Sequence, residues 1–98
     1  MVIPREFKLF NQTIKVKYSR TLLDKKQAYG LWEFSKNKIT LQQSTRKYKL
    51  TTEQLDQTFL HEVTHACLDH LGYTELSEDE KFVNSFSNLI HQFITTNE

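Results

Sequence analysis

Cysteine, proline and glycine are nearly missing from this sequence of 98 residues, which holds one, one and two of them. The single Cys67 excludes an internal disulfide and fits a reducing compartment. With Pro4, Gly30 and Gly72 as the only backbone punctuators, no Pro-rich or Gly/Ser linker is present, and residues 1–98 read as one domain. Repeats and low-complexity tracts are absent as well. No apolar run approaches the roughly 20 residues that a membrane helix needs. Met1-Val2-Ile3-Pro4-Arg5-Glu6 lacks the apolar stretch of a signal peptide, so a cytoplasmic location is expected. What the chain does have is aromatic residues: seven Phe, four Tyr and one Trp, more than a disordered chain usually carries.

The net charge of +1 hides a division. Residues 1–50 hold 12 Lys/Arg against 3 Asp/Glu, whereas residues 51–98 hold 1 against 9. Arg46-Lys47-Tyr48-Lys49, with Lys36 and Lys38, interleaves cations and an aromatic ring, as a nucleic-acid contact does. A solvated sheet face accounts for the same residues. The acidic half contains the residues with the most specific chemistry, so the division more simply separates scaffold from site.

Hydrophobic periodicity changes at the same place. Ile14, Val16 and Tyr18 alternate with Lys15 and Lys17, the period of a half-buried strand. Ala28 to Phe34 is strand-like, Ser35-Lys36-Asn37-Lys38 is a polar turn, and Ile39-Thr40-Leu41-Gln42 alternates again, which predicts a hairpin. The second half reads as two helices. The first, capped by Thr51 or Thr52, runs to about Leu71 with Gly72 just beyond, and carries Leu55, Phe59, Val63 and Ala66 on one stripe. The second opens at Ser77-Glu78-Asp79-Glu80, with Ser77 as N-cap. Its broad apolar face comprises Phe82, Val83, Phe86, Leu89, Ile90, Phe93 and Ile94. The expected fold is α+β: a small antiparallel sheet of three or more strands followed by two helices, which bury their faces against it.

His61-Glu62-Val63-Thr64-His65 is the motif that carries chemistry. On a helix the two histidines stand one turn apart and roughly 40° around the axis, so both imidazoles reach one metal ion. Glu62 projects beside them, where a carboxylate can take a proton from metal-bound water. Imidazole ligands suit zinc, and a catalytic zinc site takes three protein ligands plus water. Leu68 and Leu71 exclude the longer motif that adds a glycine and a third histidine on the same helix. His70 lies on the opposite side and reads as a surface or interface residue. Cys67 reads as a small buried hydrophobe, and Asp69, on the face of His65, as a carboxylate able to orient that ring.

The segment His61-Glu62-Val63-Thr64-His65-Ala66-Cys67-Leu68-Asp69 resembles the metal-binding helix of the thermolysin-type gluzincins, H-E-L-T-H-A-x-x-D. Glu80-Lys81-Phe82-Val83-Asn84-Ser85-Phe86 is similar to their glutamate helix. It is closer still to the E-x-x-x-N-x-F pattern of ImmA/IrrE-type metallopeptidases of phages and mobile elements. The resemblance spans Leu60 to Phe86. It implies a zinc metallopeptidase with one Zn2+ per chain on His61, His65 and Glu80, with Glu62 as the catalytic base and Asn84 orienting His61. It also implies a protein or peptide substrate in a bacterial host cytoplasm, lying extended along an edge strand for which Ile39–Gln42 is the candidate. Read from the residues alone, Glu80 can instead fold back onto Ser77 in a capping box, and Glu78 and Asp79 are neighbouring carboxylates. Tyr73 is the one aromatic hydroxyl near in sequence that can serve an oxyanion, and His91 stands three turns from Glu80, too far to help. The competing class is a metal-binding module that contacts nucleic acid or regulates, with little or no proteolytic activity.

Overall fold

Phe10 and Asn11 both adopt positive φ, 49° and 65°, the conformation that a two-residue hairpin turn of the I′ type requires. They join Glu6–Leu9 (β1) to Gln12–Ser19 (β2) as antiparallel neighbours, with Leu9 opposite Gln12. A short helix, Leu22–Lys26 (α1), follows, and then the expected hairpin of Gly30–Glu33 (β3) and Lys38–Gln42 (β4). A 3-10 turn at Phe34–Lys36 and a left-handed Asn37 connect these two strands. The computed structural model describes residues 1–98 and is α+β, a four-stranded sheet followed by helices.

The sheet is mixed, not purely antiparallel as expected. Its order is β1-β2-β4-β3, and β2 runs parallel to β4, with Val16 beside Ile39 and Tyr18 beside Leu41. The hairpin is not appended to β2. Its second strand is inserted between β2 and β3, and α1 spans the slot at the open end. Burial accounts for the choice: Ile39 and Leu41 are fully buried, whereas β3 carries Gly30 and a half-buried Trp32. The more aliphatic strand takes the central place, since a strand covered on both edges and one face tolerates least polarity. Ile39–Gln42 is therefore an internal strand, and the edge expected of it belongs to β3.

One face of the sheet holds Ile14, Val16, Ile39 and Leu41, which cluster with Phe59 and Leu60 of the long helix Thr52–Leu71 (α2). Tyr18, expected to share that face, is exposed. The other face is polar: Lys15 pairs with Glu6, and Lys36 and Lys38 pair with Glu33. Helix α2 begins at a capping box in which Thr51 and Gln54 satisfy each other's backbone N–H, and ends at a left-handed Gly72. Buried residues on α2 include Asp56, Glu62 and Thr64 as well as the apolar set. The reason is that α2 lies between the sheet and a second helix and is covered on two sides.

That second helix is Glu80–Thr96 (α4), preceded by a single turn, Thr74–Ser77 (α3). Ser77 is not its N-cap. Asp79 takes that role, accepting a hydrogen bond from the Phe82 N–H at 3.1 Å. Helix α4 packs on α2, its contacts with the sheet being minor. Val83, Ser87 and His91 form its buried line, while Phe86, Leu89 and Phe93 face outward.

Candidate metal centre

The HExxH segment occupies the middle of α2, so helical geometry alone sets His61 and His65 side by side. Their Nε2 atoms are 3.2 Å apart. Glu80, the first residue of α4, projects between them, with Oε2 3.2 Å from His61 Nε2 and Oε1 3.2 Å from His65 Nε2. The three ligand atoms lie within 4.8 Å of one another. With α2 running on to Leu71, the connection must bring the chain back by about two turns. α3 does so: it packs beside the end of α2 and sets the start of α4 level with the histidines. The neighbouring carboxylate of Asp79 is engaged in capping.

The His65 imidazole is oriented from behind. His65 Nδ1 lies 3.2 Å from the Oγ of buried Ser77, and that hydroxyl donates its own proton toward the His65 carbonyl at 3.4 Å. With its one proton so placed, Oγ accepts from Nδ1–H, which leaves the Nε2 lone pair facing Glu80 and His61. Asn84, one turn beyond Glu80, faces His61 and favours its charged form. Burial and the neighbouring His65 outweigh Asn84 and Glu80, holding the His61 pKa below its ordinary value, toward the neutral imidazole that binds metal. Asp69 does not orient His65. Its carboxylate accepts a hydrogen bond from Trp32 Nε1 at 2.8 Å, tying β3 to α2. No motif marked Ser77 for this task; its spacing from Glu80 pointed to capping.

Glu62 is buried beside the cluster, against β3. Desolvation, and then the charge of Glu80, push its carboxyl up to about 7, while the Trp32 backbone N–H, donating to it, acts in the opposite direction. Gly30 makes this approach feasible: a Cβ there would lie 2.9 Å from Glu62 Cγ and 2.7 Å from Thr58 Cγ2. An open cleft of about 710 Å³ runs between β3 and the α3–α4 junction, lined by Leu31, Trp32 and Phe34 on one side and by Thr74, Glu78 and Glu80 on the other.

Other sequence candidates fall outside this group. Tyr73 is exposed and borders a separate depression with Thr74 and Glu75. His70 stands at an interface, bonded to Asn37 Oδ1 at 2.9 Å and against the rings of Trp32 and Phe34. Cys67 is half-buried, and burial pushes its thiol pKa up, which suits a small hydrophobe. His91 is buried in α4. In the basic half, Lys47 pairs with Asp24, which also accepts from the Tyr48 hydroxyl. No helix is long and apolar enough to cross a membrane.

The donor set fits zinc. Two imidazoles and a carboxylate are ligands that zinc accepts, and one atom from each lies within 4.8 Å of the others. Comparison with protein-family models, curated proteins and solved structures finds no match to this chain.

Proposed function

We propose that this chain is a zinc-dependent metallopeptidase of the HExxH type. The observation that carries the reading is the convergence of His61 Nε2, His65 Nε2 and the Glu80 carboxylate on one point beside buried Glu62. His61, His65 and Glu80 hold one Zn2+ per chain, and Ser77 fixes the His65 ring from behind, as metal-binding histidines require. When bound, the ion supplies a Lewis acid and lowers the pKa of a coordinated water. Glu62 accepts the proton of the attacking water and returns it to the departing amine. Its carboxyl group borders the cleft, where burial and the charge of Glu80 push it up to about 7.

The substrate is a peptide or protein segment, extended along the free edge of β3 in β-augmentation. Strand β3 has one edge paired with β4 and the other bordering the cleft. Tyr73 points to no role in stabilising an oxyanion, and slow or highly selective turnover follows from the lack of such a donor. The deciding experiment loads the chelated protein with zinc and follows cleavage of a peptide library by mass spectrometry. The wild type is expected to hold about one zinc per chain and cleave, while Glu62→Gln keeps zinc and loses cleavage. A protein that takes up no zinc, or a Glu62→Gln variant that cleaves as well as wild type, overturns the reading.

A second reading is a metal-binding module that contacts nucleic acid. Lys17, Arg20, Lys25, Lys26, Arg46 and Lys49 are exposed and pair with no carboxylate, and all of them fall in the last part of β2 or in the segments that follow β2 and β4. It requires binding to single- or double-stranded oligonucleotides that weakens steeply between 50 and 200 mM salt. Binding that is absent or insensitive to salt removes it.

A further inference from the structure

The apolar face of α4 is wider than the fold covers. Val83, Ser87 and His91 are buried against α2, but Phe86, Leu89 and Phe93 are 44%, 65% and 67% exposed, and Phe82 stacks on Phe86 at 5.7 Å between ring centroids. Positions 82, 86, 89 and 93 follow each other by four, three and four residues, the spacing of a heptad seam that packs against another helix. Buried whole, an aromatic side chain covers about 150–250 Å², so the stripe leaves on the order of 400 Å² of apolar surface bare, a patch of the size that is often functional on a monomer.

We propose that this stripe is the interface of a homodimer in which α4 pairs with α4 of a second copy, antiparallel, about a two-fold axis between Phe86 and Leu89. Three observations select that occupant. First, an isologous interface must be complementary to itself, and the spacing reads the same from both ends: reversal sets Phe82 opposite Phe93 and Phe86 opposite Leu89. Second, the polar flank is neutral. Ser85 and Gln92 border the stripe, and Lys81 is the one charged side chain on α4 beyond Glu80, which is turned toward the histidines. Third, charge sets the direction. Parallel helices would bring two copies of Glu78, Asp79 and Lys81 side by side, whereas antiparallel helices separate them by about the 26 Å length of a 17-residue helix. Twice 400 Å² plus the polar flanks approaches the roughly 1,200 Å² of a small specific interface, so the dimer is a reversible one. It is independent of zinc chemistry.

Sedimentation velocity of the full chain from 1 to 500 μM tests this. The expected result is a mass rising from 11.7 kDa toward twice that value. Leu89→Lys, at an exposed position, is expected to weaken association at least tenfold with an unchanged far-UV spectrum. Register is tested by charge exchange. Phe82→Lys and Phe93→Glu each weaken the dimer, and the double variant regains it, because reversal brings the introduced ammonium of one copy against the introduced carboxylate of the other. A monomeric mass at every concentration overturns the proposal. So does a Leu89→Lys variant that associates like wild type. A monomer that binds zwitterionic vesicles through this stripe assigns it to a lipid surface and overturns the proposal equally. Failure of the double variant to recover, with both single variants weakened, overturns the antiparallel register.

Discussion

Ser77 Oγ sits 3.2 Å from His65 Nδ1, on the side of the ring away from His61 and Glu80. This contact links the α3 turn to the His61–His65 face of α2 and fixes which imidazole nitrogen is free. Removing it leaves His65 able to rotate or change tautomer. Ser77→Ala is expected to lower zinc affinity by about 10- to 100-fold, the usual effect of losing a partner behind a metal-binding histidine. Asp69→Asn, which acts on Trp32 instead, should leave zinc affinity within about twofold. Competition against a chromophoric chelator measures both. Equal affinity of Ser77→Ala and wild type would refute the orienting role.

On the proposed reading zinc should also stabilise the fold, because the three proposed ligands come from two helices. A ligand present at 100 times its dissociation constant stabilises by about 2.7 kcal/mol. Saturating zinc is therefore expected to raise the melting temperature of the wild type by several degrees, and Glu80→Ala or His61→Ala should lose most of that rise. Glu80 is the more informative position, since its side chain is 62% exposed and the metal-free fold should barely notice its truncation. Differential scanning fluorimetry with and without zinc reads the effect. A shift retained in Glu80→Ala removes this residue from the ligand set.

The parts that local pattern specifies were readable without coordinates. Helical spacing placed His61 and His65 together. Thr51 and Gly72 bounded their helix, and the alternation of Ile39 and Leu41 marked a strand. The order of strands was not readable, because inserting β4 between β2 and β3 depends on which strand buries more surface, a competition among distant residues. The role of Ser77 was hidden for a related reason. Its sequence neighbourhood fits a helix cap, but Asp79 takes the cap and the one-turn α3 carries Ser77 inward to His65. The outward stripe of α4 shows the same limit. Periodicity detects an apolar face but not how much of it the rest of the chain covers.

Gly30 is required for room, not for backbone conformation. A Cβ at this position would stand 2.7 Å from Thr58 Cγ2, 2.9 Å from Glu62 Cγ and 3.0 Å from Glu62 Oε2. Gly30→Ala should therefore push β3 from α2 and displace Glu62, at about 1–3 kcal/mol of stability, as overpacked sites do. The zinc ligands lie farther off, so zinc content should persist while peptide cleavage falls. Urea melts combined with metal analysis test the pair of outcomes. A variant as stable as wild type would show that α2 and β3 separate freely.

Gln42 is the fully buried polar residue of the sheet, and all three of its side-chain hydrogen bonds go to the backbone. Its Oε1 accepts from the Leu23 N–H at 2.8 Å, and its Nε2 donates to the carbonyls of Arg20 and Gln43, both at 2.9 Å. It holds α1 over the end of β4. Gln42→Leu keeps the volume but strips three backbone groups of their partner, so a loss of about 2–4 kcal/mol is expected, with each unsatisfied group costing about 1–3 kcal/mol when it stays dry. Gln42→Glu should be milder at low pH, where a protonated carboxyl retains one donor. Chemical denaturation at pH 5 and pH 8 distinguishes these cases.

Asp24 anchors the segment after β4 through two contacts of unequal weight. The Tyr48 hydroxyl donates to its carboxylate and is the larger cause of its lowered pKa, with the Lys47 ammonium, 2.9 Å away, the next. A carboxyl whose folded pKa lies below its unfolded value contributes stability above the unfolded value and loses it as pH falls through the folded one. The anchor should therefore be intact at neutral pH and released only below the ordinary carboxyl value of 3.8. Tyr48→Phe is expected to return the Asp24 pKa toward that value more fully than Lys47→Met does, moving release of the 43–50 segment to higher pH. Carbon-detected NMR titration of the Asp24 carboxyl gives both shifts directly. The reverse ranking would make the ion pair the anchor and the hydroxyl incidental.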